Sequence, residues 1–240
     1  MFAKKEKKPY VKRQDFLEPF EKTDKIKGLC LFLVYAFLSV LGGPLLYRTG
    51  VPFIQENLTF CVYLIDFVVA ISLFLKMYFR SFKDIKEKDL ESAFAIFGIF
   101  ILLMIAVTIF LSMGLGIENT NQQNFEEGTA IGGTVKILAT IAAVLFAPFA
   151  EETAYRFFLF RLIRGKNGWG RRILTHILVA SLFAFSHCWD YVIINKDCSQ
   201  LLGVLPLFIM GLGFSVAYDK NKNLALPIIM HMALNLIAST

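Results

Sequence analysis

Seven long apolar runs, parted by short polar connections, leave this chain few folds to choose from. They cover about residues 28–47, 58–79, 92–113, 131–149, 172–189, 201–218 and 223–239, and about 20 apolar residues of helix cross the roughly 30 Å of bilayer hydrocarbon. Inside hydrocarbon every backbone N–H and C=O must be bonded within the protein, so such runs form helices. Composition agrees, since 56% of residues are hydrophobic and 25 are Phe, outside the soluble range. The expected fold is all-α, a polytopic transmembrane helical bundle of about seven or eight helices. Residues 150–164 either continue the fourth run or form a separate helix, because Pro148 can break one long helix.

Charge orients the runs. The first 27 residues hold nine Lys or Arg and no apolar core, which reads as a cytoplasmic tail rather than a secretory signal. Segments 1–27, 76–88, 156–172 and 220–222 are rich in Lys and Arg, whereas 48–57, 114–130 and 190–200 are poor. These alternate without a miss, so the N-terminus is expected in the cytoplasm and the C-terminus outside. The net charge of +6 is then a matter of topology, with the lipid bilayer as partner and no nucleic acid. Cys30, Cys61, Cys188 and Cys198 lack metal-ligand spacing and read as small hydrophobes, a Cys188–Cys198 disulfide being the lesser alternative. Gly203, Gly211 and Gly213 have the spacing of close helix contacts in lipid. Residues 28–130 read as scaffold helices, and 131–240 hold nearly all the intramembrane polar chemistry.

That chemistry begins at Glu151 and Glu152, adjacent carboxylates at the end of an apolar stretch, a costly placement that marks a functional site by default. A helical step of about 100° turns them to different faces. Arg156, four residues after Glu152, shares its face at ion-pair spacing. Glu152 is therefore assigned to that pair, and Glu151 is left as the carboxylate aimed at a reaction. His187 lies four residues after Phe183, whose ring can wall off a pocket. His231 has Asn235 at i+4, an amide able to orient it or to bind an oxyanion. His176, beside Arg171 and Arg172, reads as interfacial, and Asp66 as an acid paired with backbone or a basic group. Ser186 adjoins His187 and on a regular helix does not share its face, which argues against a Ser-His pair.

One carboxylate and two imidazoles serve two chemistries, both of them hydrolysis of an acyl bond. In one, Glu151, His187 and His231 hold a divalent metal such as zinc that activates water. In the other no cofactor is needed: Glu151 and His187 act as general base on water, and His231 with Asn235 stabilises the oxyanion.

The ordered set Glu151-Glu152-x-x-x-Arg156, Phe183-x-x-x-His187 and His231-x-x-x-Asn235 resembles the CPBP intramembrane proteases, the CAAX protease and bacteriocin-processing (Abi) group. The resemblance covers about residues 130–240, and the segment GLGFSVAYDKNKNLALPIIMHMALN is similar to the family's approach to its last motif. It implies a CPBP-like catalytic helical core over 131–240 and an intramembrane endopeptidase acting on a membrane-associated peptide or protein. Glu151 is then the water-activating base, His187 its partner, and His231 with Asn235 the oxyanion side. Glu152, Arg156 and Phe183 take supporting places, and metal dependence stays open. The short loops are more similar to bacterial members. The competing expectation is a non-catalytic immunity or regulatory membrane protein that binds a peptide or sensor partner.

Overall fold

The computed structural model describes residues 20–118, 123, 132–164 and 168–239. Most of the basic tail, and much of the polar connection over 114–130, lie outside the described residues. Helix α1 spans Lys22–Tyr47, so the last residues assigned to the tail already belong to it. The short α2 (Pro52–Glu56) leads into α3 (Leu58–Lys83) and α4 (Glu87–Gly114). Then come α5 (Gly133–Arg164), α6 (Trp169–Phe185), the short α7 (Trp189–Ile193), α8 (Gln200–Asn221) and α9 (Ala225–Ala238). The seven long helices follow the seven apolar runs in order. Five of them, α1, α3, α4, α5 and α8, are long and apolar enough to cross a membrane. The chain is an all-helical, multi-pass membrane bundle, with no strand among the described residues.

Residues 150–164 continue the fourth run. Pro148 does not break α5, because a π-helical stretch, Ala142–Phe146, comes just before the short α-helical stretch Ala147–Glu152. A π turn widens the backbone where the proline ring would strike the carbonyl four residues back. A second π stretch, Thr153–Phe160, follows, so Glu151 and Glu152 end a short regular segment between two irregular ones.

Helix α5 is the hub, in contact with α1, α3, α6, α8 and α9. Aromatic rings fill these contacts: Tyr155 meets Tyr35 of α1 and Phe183 of α6 edge to face, and Phe157 meets Phe74 of α3. Helix α4 packs on α8 and α9 at the far side, and turns Phe94, Ile99, Leu102 and Phe110 outward, as a lipid-facing helix does. Two glycines of α8 permit close approach. A Cβ on Gly213 would lie 2.8 Å from Phe100 of α4, and one on Gly211 3.1 Å from Phe183 of α6, the small-residue packing that the spacing predicts.

The turn from α8 to α9 is tight and well held. Lys222 closes α8 in the left-handed region, at φ 55°. Asn223 then donates to the Ser81 carbonyl at the end of α3, and its own amide oxygen accepts from the Ala225 N–H as α9 begins. This fixes the start of the helix that carries His231.

Candidate active site

Glu151 and Glu152 are 1% and 0% exposed, so no bulk water solvates them and their partners must come from the protein. Glu152 has two on one oxygen. Its Oε1 accepts from Arg156 Nη1 at 2.9 Å and lies 2.9 Å from His231 Nδ1. A carboxylate paired with a guanidinium is ionised and only accepts, so Nδ1 of His231 carries the hydrogen. Arg156, itself fully buried, gives its other terminal nitrogen to the Gly211 carbonyl at 3.0 Å. Its guanidinium lies 4.6 Å from the Phe183 ring centre and 5.3 Å from that of Phe214, a cation–π setting that offsets part of the lost hydration.

Helix α6 ends at Phe185, earlier than the apolar run, and His187 sits in the turn beyond it. Its Nδ1 is 2.8 Å from the Phe183 carbonyl. A carbonyl only accepts, so Nδ1 donates and Nε2 presents a lone pair. In this turn the expectation about Ser186 fails. With the chain no longer helical, Ser186 Oγ comes to 3.3 Å from His187 Nδ1, while its hydroxyl donates to the Phe183 carbonyl at 2.7 Å. The contact is with the nitrogen already committed to the backbone, so it does not make serine a nucleophile.

Glu151 faces both imidazoles. Its Oε1 accepts from the Tyr63 hydroxyl of α3 at 2.9 Å. Its Oε2 has no hydrogen-bond partner among the described residues, and lies 4.0 Å from His187 Nε2 and 3.9 Å from His231 Nε2. Glu152 Oε2 is also without a hydrogen bond there, but only Glu151 is set between two rings. A gap of 4.0 Å is too long for a direct hydrogen bond. It suits one bridging water at about 2.8 Å from each atom, an angle of about 90° at the water oxygen. Phe183 walls the space as its spacing predicts, 4.9 Å from the His187 ring and 5.8 Å from that of His231.

Asn235 gives one amide hydrogen to the backbone of α5. Nδ2 donates to the Ala143 carbonyl at 2.7 Å, in the π stretch of α5, which leaves one of its two N–H bonds over. As placed, Glu151, His187 and His231 are not at the spacing of a tetrahedral zinc site. Ligands on a tetrahedral zinc lie about 3.4 Å apart, whereas the two measured separations are 3.9 and 4.0 Å. No group of three or more His, Cys, Asp or Glu side chains among the described residues is arranged to hold a metal ion.

Other residues escaped the sequence reading. Phe214 stacks on His231 with ring centres 5.1 Å apart; nothing in its local sequence marks it. Asp66, fully buried on α3, has neither carboxylate oxygen in a hydrogen bond among the described residues, against the expected pairing. Asp219 gathers Arg164, Arg172, His176 and Lys222, so His176 serves an ion cluster away from the glutamates. An acid ending an apolar run among basic loops was the available signal. The four cysteines are free thiols, Cys188 buried and Cys198 exposed, so the disulfide alternative does not hold.

Residues 133–237 match the sequence model of a family described as type II CAAX prenyl endopeptidase Rce1-like. An Escherichia coli protein described as an uncharacterized 24.3 kDa protein is 29% identical over 96 residues, which is 40% of this chain and 40% of the relative. The chain thus spans well under half the length of that curated relative. No solved structure matches. The matched region contains both glutamates, Arg156, both histidines and Asn235, and over it the chain is similar to the Rce1-like family of type II CAAX prenyl endopeptidases.

Proposed function

We propose that the protein is an intramembrane endopeptidase that hydrolyses a peptide bond of a membrane-associated peptide or protein. One observation carries this reading: a buried carboxylate oxygen, Glu151 Oε2, without a hydrogen bond among the described residues and set 4.0 and 3.9 Å from two imidazole Nε2 atoms. A buried oxygen left in this way is costly, and a water or substrate atom held between the three groups removes the cost.

The reaction balances with water alone. A water placed between Glu151 Oε2 and His187 Nε2 directs one hydrogen to each, and its oxygen lone pair turns towards the substrate carbonyl. As the C–O bond forms, Glu151 takes the proton and the carbonyl electron pair moves onto oxygen. His231 in its imidazolium form, held by ionised Glu152 on Nδ1, donates from Nε2 to that oxyanion, and the spare N–H of Asn235 is a second donor. On collapse the C–N bond breaks, and the proton on Glu151 passes to the leaving amine. The products are a carboxylic acid and an amine, and the acid ionises to the carboxylate by giving its remaining proton to His187 Nε2.

The test uses the full chain in phosphatidylethanolamine and phosphatidylglycerol vesicles with a randomised pool of lipid-anchored peptides, cleavage being read by mass spectrometry. Glu151→Gln and His187→Ala are each expected to lower the rate about 10³-fold while the protein still inserts. Cleavage by either variant at the wild-type rate, or a pool left intact by the wild type, ends the proposal.

A further inference from the structure

We infer that Tyr63, on α3 and outside the family-matched region, is a positioning residue for the reaction, holding Glu151 so that one oxygen alone faces the histidines. This rests on the endopeptidase reading above and names a part of the site that the three motifs do not contain.

A carboxylate has two equivalent oxygens and a side chain free to turn about its last torsion. In Glu151 the two are made unequal: Oε1 accepts the Tyr63 hydroxyl at 2.9 Å, and Oε2 is left towards His187 and His231. The phenol is well suited to this. It donates one hydrogen bond, carries no charge at neutral pH, and its ring is anchored in the packing of α3 on α5, where Tyr63 lies against the central aromatic core. A hydrogen bond to one oxygen fixes the plane of the group, and with it the direction of the other oxygen's lone pairs.

The placement is part of a wider attachment of α3 to this stretch of α5. The buried face of α3 runs through Asp66, Ala70, Phe74 and Tyr78. Tyr78 shares a hydroxyl hydrogen bond of 2.6 Å with Thr153 Oγ1 and reaches the Phe149 carbonyl at 3.3 Å. Two tyrosines of one helix thus hold α5 at residues 149, 151 and 153, around the carboxylates. Tyr78 stabilises backbone at a change from α to π geometry, whereas Tyr63 touches the reacting group's own carboxylate. A scaffold helix in the first half of the chain therefore completes the site.

Tyr63→Phe keeps the ring and removes only the donor. In the vesicle assay, on the peptide cleaved fastest by the wild type, kcat is expected to fall about 10- to 100-fold with KM within twofold, because the substrate still binds but Oε2 is no longer held on the water. Tyr63→Met supplies a second side chain without the hydroxyl should the first variant accumulate poorly. A readout independent of turnover is the carboxylate stretching band in isotope-edited infrared spectra, assigned to Glu151 by its loss in Glu151→Gln. It is expected to shift in Tyr63→Phe. A Tyr63→Phe enzyme with wild-type kcat and an unmoved band overturns the inference while an inactive Glu151→Gln leaves the endopeptidase reading standing. An active Glu151→Gln overturns that reading instead.

Discussion

Glu152 Oε1 takes two donors at once, one from Arg156 on its own helix and one from His231 on α9. That single atom joins a fully buried ion pair to an imidazole of the proposed oxyanion side. Arg156→Met removes the guanidinium and leaves the buried Glu152 charge with His231 as its remaining partner, so destabilisation of about 3–5 kcal/mol is expected. Adding Glu152→Gln to that variant removes the buried charge and should recover more than half of the loss; thermal unfolding in detergent measures both. The i, i+4 spacing made the Glu152–Arg156 pair and the Phe183–His187 contact legible in the sequence. It could not reveal that His231 reaches Glu152 from 79 residues away, or Tyr63 reaches Glu151 from 88 residues away. Such contacts depend on how helices cross, and one sequence holds no record of that.

Among the elements, hydrophobic length identified the helices well, and their irregularities poorly. The two π stretches of α5 flank Glu151 and Glu152, yet apart from Pro148 no residue type announces them, because a π turn arises from packing on both sides of the helix rather than from propensity. The turn carrying His187 was likewise hidden, since the apolar run continues past the end of α6. Small residues were a better signal. At Gly213 the added Cβ of alanine would fall 2.8 Å from Phe100 Cγ, and Gly213→Ala is expected to push α4 from α8 at a cost of about 1–3 kcal/mol. Gly98, also on α4, has nothing within 4 Å of the same added atom. Gly98→Ala should therefore leave stability unchanged or raise it by up to about 1 kcal/mol, as alanine is the better helix former. Thermal unfolding of the two variants side by side separates the packing effect from the change of residue type.

For the whole molecule, the basic connections provide the argument. Arg164 at the end of α5, Arg172 and His176 at the start of α6, and Lys222 after α8 all meet Asp219, and Asn223 binds the end of α3 at Ser81. Three segments that the sequence assigns to one side of the membrane thus converge at one end of the bundle, a convergence that charge counting anticipates and a scattered arrangement would not produce. Basic residues flanking membrane helices are retained on the cytoplasmic side, so this end is expected to face the cytoplasm, with the N-terminus on the same side. The check starts from a full chain with its four cysteines replaced by serine, then given one new cysteine at an exposed position in either of two connections. Gln55→Cys, in α2, should react with a membrane-impermeant maleimide on intact cells. Asp84→Cys, between α3 and α4, should react only after the membrane is permeabilised. The reverse pattern would place the Asp219 cluster outside and remove the basis for a cytoplasmic N-terminus, and equal labelling of both would mean that α3 does not cross the bilayer.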